Sequence, residues 1–224
     1  MISFLLTRPF AHYSKRIIID AFCGCGGNTI AFATNENATV IAIDHDRKKI
    51  QNAISNCAIY GIPPSRVIFI EGDVNHVLGH YKDGIKMPHE PECFPLTKME
   101  TCLGYTIGSC DHLPESIDSL FLSPPWGGPS YFEKDSFTLK DITINSDKLA
   151  LQNIYDGVDL LSAALRASKS IMLFLPRNID GETLGKDAIS VGYHGHIELE
   201  QQILEGKLKT VTAYLSRSHN SPIN

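Results

Sequence analysis

The chain has 224 residues, enough for one large domain with a full core or for two small ones. Its 43% hydrophobic and 20% charged residues favour no disordered or fibrous class, and a formal net charge of -5 argues against a surface coated for long nucleic acids while leaving room for a short anionic ligand held by local cations. No apolar run approaches a membrane span, the start lacks the flanks of a signal peptide, and the 6 cysteines form no C-x-x-C pair, so an intracellular protein with free thiols and no membrane partner is expected.

Five short apolar runs recur along the chain: Arg16 to Asp20, Thr39 to Ile43, Arg66 to Glu71, Ile117 to Leu122 and Ser170 to Leu175. Continuous rather than alternating hydrophobicity at this length predicts strands buried on both faces, as in a parallel sheet. A helix is predicted from Asp46 to Tyr60, with Asp46 as N-cap, an apolar stripe at Ile50, Ala53, Ile54, Cys57 and Ala58, and Gly61 with Pro63-Pro64 as the stop. A second helix is predicted from Asn145 to Ser168 on the looser stripe Leu149, Ile154, Val158, Leu161 and Leu165. His196 to Leu204 and Lys207 to Leu215, around Glu205-Gly206, read as an antiparallel hairpin. The alternation predicts an α/β fold, a Rossmann-like doubly wound sheet, mostly parallel, with one antiparallel edge from the C-terminal hairpin.

The stretch from Gly79 to Ser116 has little periodicity and is expected to be a mobile surface insertion. Histidines 76, 80, 89 and 112 and cysteines 93, 102 and 110 lie in or near it, but their spacings match no zinc template, and no metal site is expected.

The first strand runs into Asp20-Ala21-Phe22-Cys23-Gly24-Cys25-Gly26-Gly27-Asn28-Thr29. A glycine-rich turn between strand and helix lets the backbone approach a nucleotide-like ligand, and its G-x-G-G spacing departs from the dinucleotide pattern. Phe22, Cys23, Gly24, Gly26, Asn28 and Thr29 are therefore candidate cofactor contacts. Asp44 closes the second strand, where an acid hydrogen-bonds ribose hydroxyls. Asp20 is placed to meet a cationic amino group, and Asp73, after the third strand, an adenine amino group. Singly, each acid reads equally well as a helix cap or solvated turn; three of them beside one glycine loop resemble the S-adenosylmethionine site of Rossmann-like methyltransferases.

The fourth strand ends in Ser123-Pro124-Pro125-Trp126-Gly127-Gly128-Pro129, which holds the chain's only tryptophan on a turn stiffened by proline. The competing reading of Trp126 is a core residue closing a sheet edge. In many such methyltransferases a motif of this form marks transfer to a planar amino nitrogen, a weak nucleophile that must be oriented and desolvated. Ser123 Oγ and the Pro124 carbonyl are suited to accept the amine hydrogens while the aromatic face fixes the ring plane, so Ser123, Pro124 and Trp126 are the candidate catalytic residues.

Together with Val40-Ile41-Ala42-Ile43-Asp44, the segment Asn56 to Ile62, Phe174-Leu175-Pro176-Arg177-Asn178 and Lys207 to Tyr214, these motifs resemble the trimethylguanosine synthase family from about Ile17 to Leu215. The resemblance implies S-adenosylmethionine-dependent N2-methylation of the 7-methylguanosine cap of small nuclear and nucleolar RNAs to 2,2,7-trimethylguanosine. It implies that Trp126 stacks on a cationic base, worth ~2 kcal/mol when desolvated, that Asn56 lies near that base and that Arg177 meets the cap triphosphate. A surface or helix-end arginine is the competing reading of Arg177, and Lys207 and Lys209 are read as a solvated hairpin edge outside the site. Capped small RNA, with ribonucleoprotein proteins, is the implied partner set, for a monomer in the nucleus (nucleolus or Cajal-body-like compartments) and also the cytoplasm.

The expected organisation is an extension over 1–16, in which the family's helical segment is not matched, a methyltransferase domain over 17–217 with the insertion at 79–116, and a tail over 218–224. Two alternatives stay open: methylation of an amino group elsewhere in RNA or DNA, and a catalytically weak cap-binding module with an open site.

Overall fold

The computed structural model describes residues 16–87, 100–108, 113–127, 134–145 and 154–216. In chain order these contain β1 (Arg16–Ala21), α1 (Gly27–Ala33), β2 (Ala38–Asp44), α2 (Arg47–Ile59), β3 (Val67–Glu71), α3 (Val74–Leu78), β4 (Tyr81–Lys82), β5 (Ile85–Lys86), β6 (Glu100–Cys102), β7 (Tyr105–Gly108) and β8 (Ser119–Leu122). They continue with β9 (Thr143–Asn145), β10 (Ile154–Asp156), α4 (Gly157–Ala167), β11 (Ser170–Pro176), α5 (Gly181–Ser190), β12 (His196–Leu204) and β13 (Lys207–Ser216).

The main sheet has the order β12-β13-β11-β8-β1-β2-β3-β7-β6. Its pairings from β11 through β7 are parallel, so the carboxyl ends of β1, β2, β3, β7, β8 and β11 share one edge. The chain leaves β1 toward β2 on one side and returns to β8 on the other, which opens a switch point above β1 where such sheets bind ligands. One face of the sheet packs Phe32, Ile50, Ala53, Ile54 and Cys57 from α1 and α2. The other packs the apolar sides of α3, α4 and α5, including Val77, Leu161 and Leu184. A strand covered on both faces buries every side chain, which is why the predicted runs are continuously apolar. Among the described residues no helix is long and apolar enough to cross a membrane.

Local chemistry accounts for α2 as predicted. Asp46 accepts from the Lys48 N–H at 2.8 Å, and at the far end Gly61, at φ +68°, lets the Ile62 N–H reach back to the Cys57 carbonyl at 2.9 Å. Other elements differ from the sequence reading. The second helix begins at Gly157 rather than Asn145, because the Asp156 carboxylate caps it and the β9–β10 hairpin precedes it. A Cβ on Gly157 would lie 2.6 Å from the Leu139 carbonyl oxygen, so glycine is what lets α4 start against that segment. Helix α5, capped by Asp180, has no counterpart in the sequence reading.

The largest correction concerns Gly79 to Ser116. Its described part is not a loop on the surface: β7 pairs parallel with β3, and β6 pairs antiparallel with β7, so the sheet gains a second antiparallel edge. Tyr105 is buried edge-to-face against Phe69, with ring centroids 5.9 Å apart, and its hydroxyl donates to the Ile62 carbonyl. Residues 88–99 and 109–112, which include His89, Cys93, Cys110 and His112, lie outside the described residues. Among the described residues no cluster of three or more histidine, cysteine or acidic side chains is placed to hold a metal.

Tyr105→Ala is expected to lower the unfolding free energy by about 3 kcal/mol, the usual result of deleting a buried aromatic. Denaturant unfolding measures it, and a loss below about 1 kcal/mol would show that the inserted strands do not share the core.

Candidate active site

Among the described residues six strand ends meet at the carboxyl edge, and the loop after β1 is tightly constrained. Phe22, Gly24 and Gly26 have φ of 64°, 55° and 87°. For Phe22 this left-handed conformation costs about 1–2 kcal/mol. Neighbouring bonds hold it: Cys23 N–H donates to the Ile43 carbonyl at 2.8 Å, and the Ser123 hydroxyl donates to the Phe22 carbonyl at 3.3 Å. A Cβ on Gly26 would sit 3.0 Å from Ala53 Cβ and 3.1 Å from its Cα, so only glycine lets the loop press against α2.

Asp20 is fully buried below this loop. The Thr29 hydroxyl donates to its Oδ2, while Oδ1 is buried with no hydrogen-bond partner among the described residues. Burial pushes its pKa up to about 7; the bonds from Thr29 oppose that shift and repulsion from Asp44 adds to it. A carboxylate so placed gains from a cation brought to its unsatisfied oxygen. Thr29, read from the sequence as a cofactor contact, is completely buried and acts through Asp20. Asn28, beside it in the first turn of α1, is half-buried. Cys23 is buried, and burial with the nearby Asp20 and Asp44 pushes its thiol far above the ordinary value, which keeps it neutral.

Asp44 is 3% exposed and fixes two loops at once. Its Oδ2 accepts from the Gly24 N–H at 3.0 Å and its Oδ1 from the Asp46 N–H at 2.9 Å. Asp73 is the N-cap of α3, accepting from the His76 N–H at 2.9 Å through Oδ1, so the helix-cap reading holds for that oxygen. Asn56, expected near a base, donates from Nδ2 to the Cys25 carbonyl at 2.8 Å, tying α2 to the glycine loop. In the structure it braces that loop, because the close approach of α2 at Gly26 brings the Cys25 carbonyl within its reach.

On the other side of the switch point, β8 ends in the Ser123 turn. Ser123 is half-buried, and its N–H donates to the Ala21 carbonyl at 3.4 Å. Pro124 is buried, Pro125 exposed and Trp126 half-buried, while Gly128 and Pro129 lie outside the described residues. The indole N–H of Trp126 donates to the Phe174 carbonyl at 3.0 Å, and its ring lies tilted on that of Phe174, centroids 5.1 Å apart. Phe174 is thus a support the sequence reading did not assign, although it stands in the motif Phe174 to Asn178. Arg177 is exposed at the end of β11. Its turn is braced by Asn178, which donates from Nδ2 to the Lys134 carbonyl at 2.8 Å and accepts from the Phe137 N–H at 2.8 Å.

Residues 15–218 match a family model described as RNA cap guanine-N2 methyltransferase. The chain is 34% identical over 200 residues to a trimethylguanosine synthase of Schizosaccharomyces pombe, covering 89% of this chain and 65% of the relative. It is 28% identical over 169 residues to a trimethylguanosine synthase of Saccharomyces cerevisiae, covering 75% and 41%. It therefore spans less than two thirds of either relative. Among solved structures, magnesium protoporphyrin IX methyltransferase from Synechocystis PCC 6803, with bound SAM, aligns with a TM-score of 0.54 at 11% identity over 96% of this chain and 76% of that one, a likeness of fold.

Gly26→Ala combines a left-handed backbone with a contact against Ala53, and is expected to lower stability by about 1–3 kcal/mol. Chemical unfolding gives the value, and a change within about 0.5 kcal/mol would show that the loop does not press on α2.

Proposed function

The chain belongs to the family of RNA cap guanine-N2 methyltransferases, and from that premise we propose that it methylates N2 of a 7-methylguanosine RNA cap with S-adenosylmethionine as donor. The observation that carries the reading is the joining of the glycine loop to the Ser123 turn, through the bond from Ser123 Oγ to the Phe22 carbonyl at 3.3 Å, with Trp126 anchored alongside.

The residues of the glycine loop fit the donor. Oδ1 of Asp20 is a buried oxygen without a partner, suited to a cationic amino group. Asp44 stands at the end of β2 for ribose hydroxyls, and Asp73 at the end of β3 beside an adenine. Bound there, S-adenosylmethionine supplies an electrophilic methyl group on a positively charged sulfur.

The acceptor side follows from hydrogen-bond direction. Because the Ser123 hydroxyl gives its hydrogen to Phe22, its lone pairs are the part offered to a substrate, and they accept from the N2 amino group. The Pro124 carbonyl is a second acceptor, and the two together fix which way the nitrogen lone pair points. The Trp126 N–H is engaged by Phe174, so the indole acts on a base by stacking, and a cationic 7-methylguanine gains more from that stack than a neutral base. Arg177, one strand further, suits the cap triphosphate with a forked guanidinium. After one transfer N2 still carries a hydrogen, so a second round gives 2,2,7-trimethylguanosine. Small nuclear and nucleolar RNAs in the nucleus, their ribonucleoprotein proteins and a monomeric enzyme complete the reading.

Methyl transfer to 7-methylguanosine-capped RNA, uncapped RNA and adenine-bearing strands tests it. Capped RNA is the expected substrate, and Trp126→Ala should lose on the order of 30-fold in kcat/KM if stacking contributes ~2 kcal/mol. Preference for an uncapped strand would move the activity elsewhere, and full activity in the variant would remove the stacking role. Cap binding by a protein with no affinity for S-adenosylmethionine would replace the enzyme with a binding module.

Asp20 adds a pH dependence. Its folded pKa of about 7 lies above the ordinary value of 3.8, so between those values the native state holds a proton that the unfolded chain has lost. Stability then falls as pH rises through that window and levels off above it. A cation on Oδ1 favours the ionised form, so S-adenosylmethionine binding should release a proton and tighten from about pH 6 to about pH 8. Unfolding calorimetry from about pH 4 to about pH 8 and binding calorimetry from about pH 6 to about pH 8 measure the two effects; a slope that persists in Asp20→Asn would assign it to another group.

A further inference from the structure

The inserted strands lie on the cofactor side of the sheet. From β8, which carries Ser123 and Trp126, the order runs through β1, β2 and β3 before reaching β7. At roughly 4.8 Å per strand, β7 is about 19 Å from β8, and β11 with Arg177 is one strand further still. β7 and β6 instead adjoin β3, whose end leads into Asp73.

Arg47 joins these parts. It is the first residue of α2, three positions after Asp44. Its Nη1 donates to Glu71 Oε2 at 3.0 Å, and its Nη2 donates to Glu100 Oε2. Glu71 ends β3 two residues before Asp73, and Glu100 begins β6. The parallel β2–β3 ladder ends with Asp44 opposite Glu71, and past its end the segments carrying Asp44 and Asp73 are held by the Gly72 N–H, which donates to the Asp44 carbonyl at 3.0 Å, and by the Arg47 guanidinium. Arg47 and Glu71 are 32% and 18% exposed, so that half of the pairing is sheltered, whereas Glu100 is 56% exposed and contributes the weaker half. From the core side Tyr105 of β7 packs edge-to-face on Phe69 of β3 and donates to the Ile62 carbonyl in the loop before β3.

We infer that Arg47 is a positioning residue for the cofactor, setting the spacing of Asp44 and Asp73, and that the inserted β6 strand serves this site through Glu100 rather than the path of the RNA. The inference rests on the donor-site reading above. A planar fork reaches two carboxylates on different strands at once, which a single ammonium does not reproduce.

The test is calorimetry of S-adenosylmethionine, and separately of a 7-methylguanosine cap analogue, with wild type, Arg47→Ala, Arg47→Lys and Glu100→Gln. Arg47→Ala should weaken S-adenosylmethionine by about 3- to 10-fold, Arg47→Lys should fail to restore it, and Glu100→Gln, the mildest change, should shift it the same way by about 2- to 3-fold, all with cap affinity within about 2-fold of wild type. Wild type that binds S-adenosylmethionine while Arg47→Ala binds it equally well overturns the inference alone, as does a parallel loss of cap affinity. Wild type that binds no S-adenosylmethionine overturns the donor-site reading, and the inference with it.

Discussion

The parallel pairing of β1 with β8 is the constraint on which the rest depends. Asp20 lies opposite Phe121 and Ala21 opposite Leu122, so the two strands end level and release their loops side by side. The pairing is buried on both faces, with Ile19, Ala21, Leu120 and Leu122 on one and Ile18 and Phe121 on the other. A slip of one residue would turn all of these to the wrong face. Register therefore sets the distance between the glycine loop and the Ser123 turn as firmly as it sets the core. The bonds from Ser123 to Ala21 and Phe22 complete that coupling.

Polar groups at this edge are placed where burial makes them costly, and each has a use that offsets the cost. Asp44 satisfies two backbone donors of neighbouring loops while almost wholly buried. Asp20 satisfies Thr29 with one oxygen and leaves the other without a partner. Burying an unsatisfied carboxylate oxygen opposes folding, and this one lies below a strained loop. Phe22 belongs to the same pattern, a non-glycine residue held left-handed between two strand ends.

Charge at this edge is mixed. Asp20 and Asp44 lie at the ends of β1 and β2 and Asp73 follows β3, but Lys49 stands beside Asp44 and Arg47 pairs with Glu71. Arg177 follows β11, but Lys134 is paired with Asp141 and Asp180 caps α5 close by. The inserted strands add Glu100, itself paired with Arg47. They bring Tyr105 and Ile107 into the core, so they are part of the domain rather than an appendage to it.

The sequence by itself determined the features that depend on local chemistry. Buried strands announce themselves as apolar runs, Asp46 and Gly61 as the caps of α2, Glu205-Gly206 as a hairpin turn, and the glycine loop and Ser123-Pro124-Pro125-Trp126 turn by residues whose backbone freedom is unusually wide or narrow. Only the tertiary structure decided who partners whom. Tyr105 to Gly108 has too short and weak a pattern to predict as a strand, and becomes one because β3 offers it an unpaired edge. The cap of α4 at Asp156 is local chemistry, but the close approach of Gly157 to Leu139 depends on a contact between segments apart in sequence. Asn56 and Thr29 read as ligand contacts from their motifs, yet their side chains bond to Cys25 and Asp20, because hydrogen-bond donors are satisfied by whatever the fold brings within about 3 Å. Residue type fixed what each group is able to do, and packing fixed which of those abilities is left for a ligand.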